Sequence, residues 1–104
     1  MEAALKAIAE PRRRQILSLV KDGEKSVGEI ASHFDVSQPA ISQHLKVLKE
    51  AGLVNERRNG TRRLYIVRPE GLADVKGFIE QFWTDGLATL KAAAEAEERR
   101  KKAK

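Results

Sequence analysis

The chain has no cysteine. Disulfides and thiolate metal ligands are therefore both excluded. Long apolar runs are missing as well. No segment approaches the roughly 18 apolar residues of a membrane span, and the opening MEAALKAIAEPRRR lacks the apolar stretch of a secretion signal. The expectation is a soluble cytoplasmic protein. There is no Gly-rich phosphate loop, no pair of carboxylates with an evident pocket, and no Cys or His nucleophile arrangement. Without such a constellation no enzymatic reaction is expected. The two histidines, His33 and His44, have no thiolate or second His at ligand spacing. Neither a metal nor a cofactor is expected.

What is present is basic charge in one place. At 104 residues and 41% apolar composition the chain is read as one domain. It is small enough to gain from a partner subunit. Residues 1–36 balance six basic against six acidic side chains, and residues 69–104 balance seven against seven. Residues 37–68 hold seven basic residues against only Glu50 and Glu56, so the entire net charge of +5 lies there. Concentrated charge of this kind is the footprint of a polyanion binder.

The local signals predict five helices and a hairpin. Residues 2–9 are rich in helix formers, with Leu5 and Ile8 on one face. Pro11 suits the first turn of a second helix ending near Asp22-Gly23. Ser26 and Glu29 form a Ser-x-x-Glu capping box for a third helix reaching Phe34. After a tight turn, Ser37 caps a fourth helix, SQPAISQHLKVLKEAG, that closes at Gly52. Two helices joined this way make a helix-turn-helix. Asn59-Gly60 then marks a two-stranded hairpin. From Leu72 to Leu90 apolar residues recur at helical spacing over about five turns, and a charged tail is expected to fray.

On a helical wheel Ile41, Leu45, Leu48, Ala40 and Val47 occupy one side of the fourth helix. Gln38, Ser42, Lys46 and Lys49 gather on the other, with Pro39 and Gln43 beside them. Gln pairs bidentately with adenine in the major groove, Ser serves base edges or phosphate, and Lys prefers guanine or phosphate. Taken alone, this face reads as solvated surface. The capped helix before it and the arginines after it favour DNA. Arg57, Arg58, Arg62 and Arg63 bracket the hairpin tip with Asn59 and Thr61, more cations than guarding an edge strand requires. His44 borders the apolar face and is read as half-buried and satisfied rather than ligating. Phe82 and Trp83 belong to a stripe that outgrows one small core, so a second copy of the chain is the simplest cover. A pocket for an apolar effector is the other reading.

These stretches, LKAIAEPRRRQILSLV, SVGEIASHF, VSQPAISQHLKVLKEAGLV, RRNGTRRLYIV and FWTDGLATLK, together resemble the ArsR-type (arsenic-repressor-like) winged-helix transcriptional regulators, over nearly the whole chain. The resemblance implies a homodimeric repressor, joined through its first and last helices and bound to an imperfect palindrome in double-stranded DNA. It implies interface positions Leu5, Ile8, Ile79, Phe82, Trp83, Leu87 and Leu90. It places Ser37, Gln38, Ser42, Gln43 and the wing from Arg57 to Arg63 at DNA. Where metal-sensing members carry Cys-Val-Cys, this chain has Ser26-Val27-Gly28, and residues 69–104 contain no His. The ending resembles a metal-free subgroup that represses its own transcription; a small-molecule effector is left open.

The reading is thus a mainly α winged helix-turn-helix of five helices and a two-stranded wing, spanning 1–104. Its parts are the helix-turn-helix (25–52), the wing (53–68), a dimerisation helix (69–98) and a frayed basic tail (99–104). The rival reading is a protein-interaction module docking an acidic partner on its basic face.

Overall fold

The computed structural model describes residues 1–102. The chain divides into two compact units, Met1–Asp74 and Val75–Lys104. The first contains α1 (Glu2–Ile8), α2 (Pro11–Val20), β1 (Lys25–Ser26), α3 (Val27–Ala31), α4 (Gln38–Glu50), β2 (Val54–Asn59) and β3 (Arg62–Val67). A 3-10 turn over Pro69–Leu72 leads into α5 (Ala73–Lys102). The mainly helical fold read from the sequence is present, with one strand more than expected.

Several helix ends in the first unit have a local cause. The Glu10 side chain accepts the amide of Arg13 at the start of α2, with Pro11 at the position where a missing N–H costs nothing. Arg13 and Arg14 reach back to the end of α1: Arg13 Nε donates to the Ala7 carbonyl at 2.7 Å and Arg14 Nη1 to that of Ile8 at 2.8 Å. Cations at a helix C-terminus meet both free carbonyls and the negative end of the dipole. Arg13 and Arg14 are therefore largely structural.

The capping box is complete. Glu29 N–H donates to Ser26 Oγ and Ser26 N–H to Glu29 Oε1, both at 3.2 Å. Helix α3 ends at Ala31 rather than Phe34, because Ser32 Oγ donates to the Glu29 carbonyl at 2.6 Å and the next amides bond three residues back. Ser37 Oγ accepts the Ala40 amide and opens α4. At its other end Gly52, with φ of 75°, donates to the Lys49 carbonyl while Leu53 donates to that of Leu48. That pair of bonds is a Schellman motif, and its left-handed residue is a glycine because a side chain there would be strained.

The core lies where these elements meet. Ile16, Val20, Ile30, Ile41, Leu45, Leu48 and Leu53 are fully buried. In α1 the small Ala4 and Ala7 are the buried residues, while Leu5 stands exposed and Ile8 half-buried.

The wing is part of a three-stranded antiparallel sheet of order β1-β3-β2. Strand β1 pairs Lys25 with Tyr65 and Ser26 with Leu64. Two residues are too few to show strand periodicity, which is why the sequence read only two strands. The hairpin turn also sits one residue further on. Asn59 is paired with Arg62, leaving Gly60 and Thr61 as the loop. Only Gly60, at φ 66°, is left-handed there. A positive φ at the first central position alone fits a II′ turn, whereas Asn-Gly would have made I′.

Gly71 packs closely against the backbone of Gly52. A Cβ there would lie 2.0 Å from the Gly52 carbonyl oxygen. Gly71→Ala is expected to destabilise the protein by about 2–3 kcal/mol, the upper range for forced overpacking. A denaturant midpoint unchanged from wild type would contradict this close approach.

Among the described residues the second unit is one helix. Along α5, Phe78, Ile79, Phe82, Trp83, Leu87 and Leu90 are all exposed, each by 48–68%. Phe78, outside the stripe expected from the sequence, stacks on Phe82 with centroids 6.2 Å apart. Residues 99–102, expected to fray, continue the helix, and the rest of that tail, 103–104, lies outside the described residues.

Candidate nucleic-acid interface

Helix α4 turns Ile41, Leu45 and Leu48 inward, so Gln38, Ser42, Gln43, Lys46 and Lys49 face out by necessity of pitch; Val47, expected on the apolar side, lies at its margin and stands exposed. The sheet then brings the wing beside them. Together they enclose a groove of about 740 Å³ lined by these five residues and by Thr61, Arg62 and Arg63. Eight of the sequence-read DNA positions are thus on one concave surface. Ser26, Val27, Gly28, Glu56 and Tyr65 complete its walls and were not anticipated. The two-residue strand that carries Ser26 to this wall left no sequence signal.

The other expected positions lie elsewhere. Ser37 and Pro39 are exposed at the start of α4, and the Ser37 hydroxyl is engaged in the helix cap. Arg57 does not line the groove; its Nε donates to Glu24 Oε2 at 2.6 Å. Arg58 and Asn59 are exposed on β2, outside the groove lining. Arg62 does line it and is also paired with Glu29 Oε1, at 2.5 Å.

One polar chain links wing to helix at the groove wall. The Tyr65 hydroxyl donates to Glu56 Oε2 at 2.8 Å, and Lys49 Nζ lies 3.5 Å from the same oxygen. The Tyr65 hydrogen bond, with Lys49 nearby, holds the Glu56 carboxyl below its usual range. Burial first, and then the ionised Glu56, push the Tyr65 hydroxyl up to about 12 from an ordinary 10.0. Because the folded pKa exceeds the unfolded one, the stability from neutral Tyr65 is full below pH 10 and is lost as pH rises towards 12. Glu56 has the opposite sense: its contribution is present above the unfolded carboxyl pKa and lost as acid protonates it. The chain has a single tyrosine, so ultraviolet titration reads this residue alone. The expected midpoint is about 12, and a midpoint near 10 would contradict the buried bond.

His44 is half-buried on α4, with Arg13 Nη1 at 3.4 Å and Glu10 Oε2 at 3.9 Å from its Nδ1. It joins α2 to α4. Among the described residues no group of three or more His, Asp or Glu is placed to hold a metal ion. No helix there is long and apolar enough to cross a membrane.

A capped helix, a tight turn and a second helix beside a basic hairpin define a winged helix-turn-helix protein. The profile of the bacterial regulatory proteins of the arsR family matches residues 10–56. The chain is 46% identical over 86 residues to an HTH-type transcriptional regulator of Mycobacterium tuberculosis, covering 83% of this chain and 80% of that protein. It is 38% identical to the transcriptional repressor SdpR of Bacillus subtilis, covering 83% of this chain and 96% of that one. A solution NMR structure of a homodimeric winged helix-turn-helix DNA-binding domain from Mycobacterium bovis matches with a TM-score of 0.65 at 34% identity, over 81% of this chain and 78% of that one. The chain belongs to the ArsR family of bacterial transcriptional regulators.

Proposed function

We propose that the protein is a homodimeric, sequence-specific repressor that binds a palindromic operator in double-stranded DNA, including one at its own gene, and carries out no catalysis. The observation that supports this most is the groove, which gathers amide and hydroxyl readers with Lys46, Lys49, Arg62 and Arg63 on one surface. Helix α4 enters the major groove with its N-terminal turn, where Gln38, Ser42 and Gln43 reach base edges. Ser37, Pro39 and the backbone amide of Gln38 lie against a phosphate. The wing follows the neighbouring backbone through Arg62, Arg63 and Thr61, with Arg58 and Asn59 along its strand, while Arg57 stays with Glu24 off the groove and makes no contact with DNA. Leu5 and Ile8 in the first unit, and the exposed stripe of α5 in the second, are covered by a second copy. The protein works in the cytoplasm, where its operator is.

Selection from a random pool of duplexes tests this reading. The expected product is an inverted repeat with half-sites about one helical turn, or 10 base pairs, apart. A pool with no enriched sequence would sink the reading and favour an acidic protein as the partner of the basic face. Gln38→Ala should then relax base preference at one position of each half-site, by about 1–3 kcal/mol. Unchanged discrimination among operator variants would remove Gln38 from the readers.

A further inference from the structure

The arginine nearest the wing tip on β3 is already engaged before DNA arrives. Arg62 lines the groove, yet its Nη2 donates to Glu29 Oε1, a residue outside the groove lining. The same carboxylate oxygen accepts the Ser26 amide in the capping box of α3. Glu29 is therefore fixed from behind by the helix it caps, and it ties the wing to that helix across the sheet. Hydrogen bonds from Ser26 and the charge of Arg62 hold its carboxyl below the ordinary value, so it stays ionised at neutral pH.

Resting on the DNA-binding reading above, we propose that Glu29 sets the absolute affinity of the protein for DNA by latching Arg62 to the start of α3, a contact that a phosphate must displace. Two effects act in the same direction. The ion pair is lost or shared when the guanidinium meets a phosphate, and the carboxylate repels that phosphate at short range. Neither effect depends on base sequence, because Arg62 addresses the backbone. The latch therefore lowers affinity for specific and non-specific DNA alike. It keeps non-specific contacts weak while Gln38, Ser42 and Gln43 make the choice of sequence.

The pair Arg57–Glu24 supplies an internal control. It also joins the wing to the segment ahead of α3, but Arg57 does not line the groove. Glu24→Gln changes net charge as much as Glu29→Gln does. Glu29→Gln preserves the fold, because Gln serves at this position of a capping box.

The test is fluorescence anisotropy of the full chain on a labelled duplex carrying the selected inverted repeat and on its scrambled counterpart, at physiological salt. Glu29→Gln should bind both duplexes about three- to twentyfold more tightly in a dimer, inside the span set by one exposed ion pair per protomer. The ratio between the duplexes should stay as in wild type. In an Arg62→Gln background the gain should fall below about twofold, and Glu24→Gln should gain less than about twofold, the screened long-range share. Unchanged or weaker binding by Glu29→Gln overturns the latch. So does an equal gain from Glu24→Gln, or a gain that survives without Arg62, since either would mean charge alone. Wild-type protein that binds neither duplex overturns the DNA reading itself, and the latch with it.

Discussion

Trp83→Asp is expected to yield a monomer that has lost tight DNA binding. In the single chain Trp83 is 65% exposed and Phe82 67%, so a carboxylate there leaves the fold of one copy nearly unchanged, within about 0.5 kcal/mol. In a dimer the same carboxylate is buried without a partner in an apolar seam, at a cost of about 3–5 kcal/mol. Phe78, Ile79, Leu87 and Leu90 extend that seam along α5. A monomer engages one half-site only. Its affinity for the full operator should fall by about 10²–10⁴, the advantage gained by joining two binding events. Analytical ultracentrifugation beside a DNA titration reads both effects. A fully dimeric variant would show that the stripe has another occupant.

The second large effect is expected from Arg62→Ala combined with Arg63→Ala. Both side chains line the groove beside Lys46 and Lys49. If each neutralises one phosphate, the slope of log affinity against log salt falls by about two per protomer. All sequences should weaken together, in contrast to Gln38→Ala, which changes preference. The same double substitution also removes the Glu29 contact that opposes binding, so the net loss of affinity is smaller than two phosphate contacts alone would give. An unchanged slope would take both arginines off the list of contacts.

Much of this was legible in the sequence because it is written in local chemistry. The Ser26–Glu29 capping box, the Ser37 cap and the Gly52 terminus each act within a few residues. The apolar spacing of Ile41, Leu45 and Leu48 settles which face of α4 is left for solvent, and with it where Gln38, Ser42, Lys46 and Lys49 point. What was hidden depends on pairing at a distance. β1 is too short for a pattern and exists because β3 offers it an edge. The turn fell on Gly60-Thr61, since the register pairs Asn59 with Arg62. The partners of Arg57 and Arg62 are 33 residues away in each case, beyond any local signal. Four arginines around one turn looked equivalent in sequence; the fold gives two of them carboxylate partners, Glu24 and Glu29.

The central claim is that the groove beside α4 reads DNA sequence. The most direct measurement is the affinity of the wild-type chain for the selected inverted repeat and for its scrambled duplex, side by side at physiological salt. The expected result is binding at least about 10³-fold tighter to the first, the lower bound for specific recognition. Equal, weak affinity for both would contradict the claim and leave the basic face to a partner other than DNA.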